Sequence, residues 1–201
     1  MSRGEACCRY LPDFLGTVLD EMGRAPLTNL LGKAGAPGEW SDPDHIRSLH
    51  GVEAARVFAG LQRALRIYYG RGARGSLIRT GRALWERLLG QAPLPLKVRA
   101  GVVRASPTHA RLQPALGLLT GLLGVGSGDI TIRRVERGLV LQDRASPTTL
   151  GQSEEYPICY VTLGMLQACT LWATGVESDV EETRCRACGE GACEFEIVYG
   201  G

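Results

Sequence analysis

The sequence predicts an α+β fold (mixed α/β), with an antiparallel sheet of about four to five strands packed with helices. Three observations predict it. Up to residue 123 the apolar residues recur at helical spacing; from residue 130 short stretches alternate with period two; between the two pairs of such stretches lies a nearly all-apolar run, 158–174.

The elements follow in order. Leu11–Met22 places Phe14, Leu15, Val18, Leu19 and Met22 at helical spacing, within a first 45 residues that read as helical and irregular. Gly32–Pro43, rich in Gly and Pro, reads as a loop. A helix is predicted over Gly51–Tyr69, where Val52, Ala55, Phe58, Leu61, Leu65 and Tyr68 form an apolar stripe. The Gly-Arg run Gly70–Gly75 breaks it, and a further helix is predicted over Ser76–Leu89. Pro93 and Pro95 are expected to end that region. Another helix is predicted over His109–Leu123. A hairpin then pairs Ile130–Val135 with Leu139–Gln142 around Gly138. Pro157 opens the apolar helix Ile158–Thr174, expected to lie on the sheet face, and two strands follow, Ser178–Arg184 and Cys193–Tyr199.

The chain has 201 residues, enough to bury a core without disulfides or metal, and its composition is that of an ordinary globular protein. No apolar run reaches the roughly 18 residues of a membrane span, and Met1–Phe14 lacks a secretory h-region. A cytoplasmic location is therefore expected. A net charge of +2 gives no nucleic-acid footprint, so no direct nucleic-acid binding is expected. Almost all basic residues are Arg, with Lys33 and Lys97 the only lysines. The run Gly121, Gly124, Gly126, Gly128 follows a helix and precedes a strand, the reverse of a phosphate loop, and reads as a helix cap and turn.

Seven cysteines are the unusual count, and without a secretion signal they favour metal over disulfides. Cys185 and Cys193 bracket a Gly-containing turn between two strands, Glu182 stands three residues before Cys185, and Cys159 opens the apolar helix, where a helix N-terminus favours thiolate. Three thiolates and one carboxylate suit a closed zinc site, whose net charge of −2 Arg184 and Arg186 would offset. The spacing leaves two alternatives open: reduced core thiols, the class in which Cys169 falls, or Cys188 as ligand in place of Glu182. Cys7 and Cys8 read as incidental.

Cys159 with Gly164, Gly175, Glu182-Thr183-x-Cys185, Gly189 and Cys193-x-Phe195 resemble the 4-vinyl-reductase (4VR), or hydrocarbon-binding-protein, domain; Gly75–Leu89 with Gly81 resembles its central helix. The resemblance covers roughly Gly75–Tyr199. It implies a fold like those of nitric-oxide sensors and TRAPP small subunits, a homodimer, and a pocket for an apolar or aromatic small molecule. Sensing domains of phenol-responsive activators in this family hold zinc through Cys, Glu, Cys and Cys. That pattern falls on Cys159, Glu182, Cys185 and Cys193, implying structural zinc. Those relatives also use a His and a Trp ahead of the first Cys. His109 lies in that stretch, but no Trp lies between Trp85 and Trp172, so phenol is not the expected ligand. No AAA+ or helix-turn-helix output region follows Gly201, so the chain is not expected to be such an activator by itself.

The domain division so implied is residues 1–50 as an N-terminal helical extension and 51–201 as the small-molecule-binding domain, with its zinc site at the C-terminal end. Candidate ligand contacts are Trp85, His109, Leu163 and Trp172. The leading expectation is a sensor or carrier of an apolar molecule. The alternatives are a tetrapyrrole 4-vinyl reductase or its accessory in (bacterio)chlorophyll synthesis, and a non-catalytic dimeric scaffold. Hydride transfer needs a nicotinamide or flavin, and the sequence carries no fingerprint for either.

Overall fold

The computed structural model describes residues 8–124 and 128–198. Among the described residues there are eight α-helices and one four-stranded sheet. The helices α1 (Leu11–Met22), α2 (Arg24–Lys33), α3 (Pro43–Ser48), α4 (Gly51–Tyr69), α5 (Ala73–Gly90), α6 (Leu94–Ala105) and α7 (Thr108–Leu123) come first. The hairpin β1 (Ile130–Val135) and β2 (Gly138–Asp143), helix α8 (Tyr160–Thr174), and the pair β3 (Asp179–Arg184) and β4 (Cys193–Val198) complete the chain.

Three helices depart from the sequence reading. α2 and α3 occupy much of the segment expected to be irregular, and the predicted loop contains both the end of α2 and a short 3₁₀ turn, Gly38–Ser41. α6 stands where prolines were expected to end a helical region. Pro93 is its N-cap and Pro95 lies in its first turn, where a missing N–H costs nothing. Elsewhere the differences are at boundaries: α5 begins at Ala73, and Ile158 and Cys159 precede the first turn of α8 rather than belonging to it. Gly124 caps α7 in the left-handed conformation, as the glycine run suggests; Gly126, Cys7 and Tyr199 lie outside the described residues.

The strand order is β1-β2-β4-β3, antiparallel throughout. Period-two alternation places Cys193, Phe195 and Ile197 of β4 inward, all fully buried. Their partners across the ladder are Asp143, Leu141 and Leu139 of β2, and on the other side Ile197 faces Val180 and Phe195 faces Glu182 of β3. A chemically mixed row therefore runs across one end of an otherwise apolar face.

α8 touches β3, but its most extensive packing is on α5, with α7 next. Two glycines bring α5 and α8 together. A Cβ on Gly81 would overlap the Val161 carbonyl, and one on Gly164 would overlap the Ile78 carbonyl. Only bare backbone fits this crossing. The described part of residues 1–50 joins the same core, through Leu11, Phe14, Leu15, Leu27 and Ile46.

Candidate metal centre and adjacent groove

A break in strand alternation builds the centre. Strict alternation after Glu182 would point Thr183 out and Arg184 in. Instead the register shifts between Glu182 and Arg184, so that Thr183 and Arg184 are both exposed and Cys185 turns inward. A β-bulge re-aims a side chain in this way. It lets two residues three apart on one strand and its adjoining turn face the same point. The turn that follows is held by a 3₁₀ turn at Arg186–Cys188 and by Gly189 at φ 90°. A bond from the Glu154 N–H to the Ala187 carbonyl, 2.9 Å, ties it to the preceding loop. Cys193 then enters β4 on the buried face.

Cys159 arrives from the N-cap of α8. One ligand atom from each of Cys159, Glu182, Cys185 and Cys193 lies within 4.8 Å of all the others, and all four residues are buried. The Cys159 Sγ is 3.5 Å from that of Cys193 and 3.9 Å from that of Cys185. The Cys159 N–H donates to Glu182 Oε2 at 2.8 Å. Glu182 Oε1, by contrast, is buried without a hydrogen-bond partner. An orphaned carboxylate oxygen among three thiols is costly unless something else satisfies it. A metal ion does so, and the donor set Cys₃Glu suits zinc. Cys188 is exposed and stands outside this group, and Cys169 is buried away from it.

The electrostatics differ from the simple helix-terminus expectation. Burial pushes the Cys159 thiol well up, and its hydrogen bonds to Cys185 and Cys193 add to this. Hydrogen bonds from Cys159 and Cys193 pull Cys185 far below the usual thiol range. Burial, reinforced by the charge on Cys185, pushes the Glu182 carboxyl up to about 8. Without metal, the cluster thus concentrates its charge on Cys185 and retains protons elsewhere. A bound cation would displace those protons. The flanking arginines do not play the part expected of them. Arg184 pairs with Glu190 and Glu194, at 3.9 and 3.8 Å, while Arg186 contributes its backbone N–H, 3.4 Å from Cys193 Sγ.

Toward the other end of α8 lies an open groove of about 660 Å³, between α5 and α8. Trp85, Leu89, Ala168, Leu171 and Trp172 form its apolar wall, and the two indoles meet edge to face at 5.7 Å. Arg82 donates from Nε and Nη2 to Gln167 Oε1, at 3.1 and 2.8 Å, bridging the two helices at the rim. Arg104 lies over the Trp172 ring and donates to its carbonyl at 2.6 Å, while Arg111 donates to that of Ala173 at 3.5 Å. Two cations thereby serve the last carbonyls of α8.

The structure thus brings Trp85 and Trp172 together in one groove. Leu163 lies elsewhere, in a smaller cavity of about 220 Å³ beside Glu182, and His109 is exposed near the start of α7, outside the cavities described. Sequence reasoning missed Arg82, Gln167, Arg104 and Arg111. Their partners are 62 to 85 residues away, and no local pattern marks such pairs.

Comparison with known families matches the vinyl-4-reductase (4VR) domain to residues 139–199, the family whose motif the cysteines and glycines resemble. Among solved structures, the phenol-responsive sensory domain of the transcription activator PoxR, bound to phenol, is similar at a TM-score of 0.54 and 18% identity, over 70% of this chain and 72% of that one. This likeness shows a shared fold. A structure described as giving insights into the mechanism of H-NOX activation aligns at a TM-score of 0.47 and 14% identity, over 97% of this chain and 100% of that one. No curated protein matches the chain.

Proposed function

We propose that this chain, which carries a 4VR domain at residues 139–199, binds an apolar or aromatic small molecule and is braced by a structural zinc. The observation that carries the metal reading is the buried Cys₃Glu cluster with its orphaned Glu182 Oε1. Cys159, Glu182, Cys185 and Cys193 would hold the ion. With every position filled by protein, zinc would supply cross-linking and no open site for chemistry. It would tie the start of α8 to the bulge after β3 and to the first residue of β4.

The ligand belongs in the Trp85–Trp172 groove. Its volume falls in the range of small-molecule sites. Its wall is aromatic and aliphatic, and its polar groups sit at the rim, where Arg82 and Gln167 would fix an orientation. α8 carries both the metal end and the groove, so occupancy of the groove would be felt by a helix whose other end is fixed. The PoxR domain, of the same fold, is described as phenol-responsive, and that supports a sensing role here. The reading includes a homodimer and a cytoplasmic setting; no helix among the described residues is long and apolar enough to cross a membrane.

Native mass spectrometry of protein purified from cells tests this reading. A dimer with about one zinc per chain and an apolar adduct displaced by Trp172→Ala is expected. Metal-free, adduct-free protein that also fails to quench its tryptophans with any aromatic probe overturns it.

A further inference from the structure

α6 has two apolar faces, and the core uses only one. Ala100 and Val103, with Leu96 partly, turn inward. Leu94, Val98 and Val102 stand on the other side, 74%, 59% and 62% exposed. Their i, i+4, i+8 spacing aligns them as one outward ridge. Exposed aliphatics scattered singly need no explanation, but three in register on one helix do.

The charge around this ridge is one-sided. Between Glu86 and Asp129 the sequence has no Asp or Glu, yet it contains Arg87, Lys97, Arg99, Arg104 and Arg111. Helical geometry sets Arg99 on one flank of the ridge and Lys97 with Arg104 on the other. None of Lys97, Arg99, Arg104 and Arg111 forms a salt bridge among the described residues. The α6–α7 pair is thus an uncompensated basic surface bearing an outward aliphatic ridge.

We infer that this ridge docks α6 flat on an anionic lipid surface, with Leu94, Val98 and Val102 entering the headgroup–acyl boundary and Lys97 and Arg99 meeting lipid phosphates and carboxylates. A basic amphipathic helix binds bilayers in this way. A second copy is a poor occupant, because α6 against α6 sets basic flank on basic flank with no carboxylate on α6 or α7 to answer them. An acidic protein would need a groove shaped to a convex ridge, whereas a fluid surface receives any convex shape. The site is separate from the groove and from the Cys₃Glu cluster, and it stands without either.

The test is co-sedimentation of the full chain with vesicles, one part phosphatidylserine to two parts phosphatidylcholine, beside vesicles of phosphatidylcholine alone. Val98→Asp and Lys97→Glu change exposed side chains, and unchanged melting verifies their folding. The expected result is binding to the anionic vesicles only, weakened by salt and roughly tenfold weaker in Val98→Asp. Wild-type protein that stays in the supernatant overturns the inference, as does Val98→Asp that binds like wild type. Light scattering without vesicles supplies another arm: a dimer that Val98→Asp dissociates gives the ridge to a second copy and overturns it. Retention on poly-glutamate that depends on Val98, without vesicle binding, gives it to an acidic protein and overturns it equally.

Discussion

Cys159, at the start of α8, and Trp172, near its end, belong to one helix but to opposite kinds of site. Around Cys159 four donor atoms converge in a solvent-free space built by a strand bulge, a turn and a helix cap. Around Trp172 an open groove is lined by rings and rimmed by side chains that bridge two helices. The difference teaches what each end can do. A closed set of protein ligands suits permanence, and an open aromatic wall suits exchange. Between them, the Gly81–Gly164 crossing fixes α8 against α5, so neither end can shift alone.

Removing the metal should break the comparison most severely. Chelation should cost on the order of 5 kcal/mol of stability, read by calorimetry as a large fall in melting temperature that added zinc reverses. Gly164→Ala comes next. Its methyl meets the Ile78 carbonyl, a backbone atom that cannot swing away, and the expected loss is about 3 kcal/mol, measured by urea unfolding.

A third effect is specific to the metal end. Asp143 faces Cys193 across the ladder, and burial pushes its carboxyl up to about 6 despite a bond from the Ala145 N–H. The unfolded carboxyl ionises at about 4. Between those values the folded chain holds a proton that the unfolded chain has released, so stability falls as pH rises through this window. In chelated protein the fall attributable to Asp143 should be about 2 kcal/mol, and Asp143→Asn should flatten it. A denaturation series from about pH 4 to about pH 7 reads the difference.

The groove should give the smallest change in stability and a separate change in binding. Trp172→Ala is expected to weaken an aromatic probe roughly tenfold while leaving metal content at the wild-type value. Fluorescence titration and elemental analysis on one preparation separate the two.

Much of this contrast was legible in the sequence. The alternation in Cys193-Glu-Phe195-Glu-Ile197 gives the inward face directly, and the apolar run up to Thr174 marks the buried helix. Gly81 and Gly164 stand out in the sequence, but their meeting is a tertiary fact. The bulge was not legible, because a one-residue slip leaves no signature beyond Glu182 and Cys185 having to face one point. α6 was hidden by reading Pro93 and Pro95 as terminators when they form a helix start. Trp85 and Trp172 were candidates from their residue type. The guanidinium contacts of Arg82, Arg104 and Arg111 depend on helix–helix geometry that periodicity does not encode.

The central claim is that Glu182 completes a closed metal site. Its most direct test is zinc content by elemental mass spectrometry for wild type, Glu182→Gln and Cys188→Ser, after identical dialysis against a weak chelator. Glutamine preserves the shape and can still accept the Cys159 N–H, but it removes the anionic oxygen left without a partner. The account predicts about one zinc per chain in wild type and Cys188→Ser, and at least roughly tenfold less in Glu182→Gln. Zinc retained by Glu182→Gln and lost from Cys188→Ser would contradict it, as would wild-type protein that binds no zinc at all.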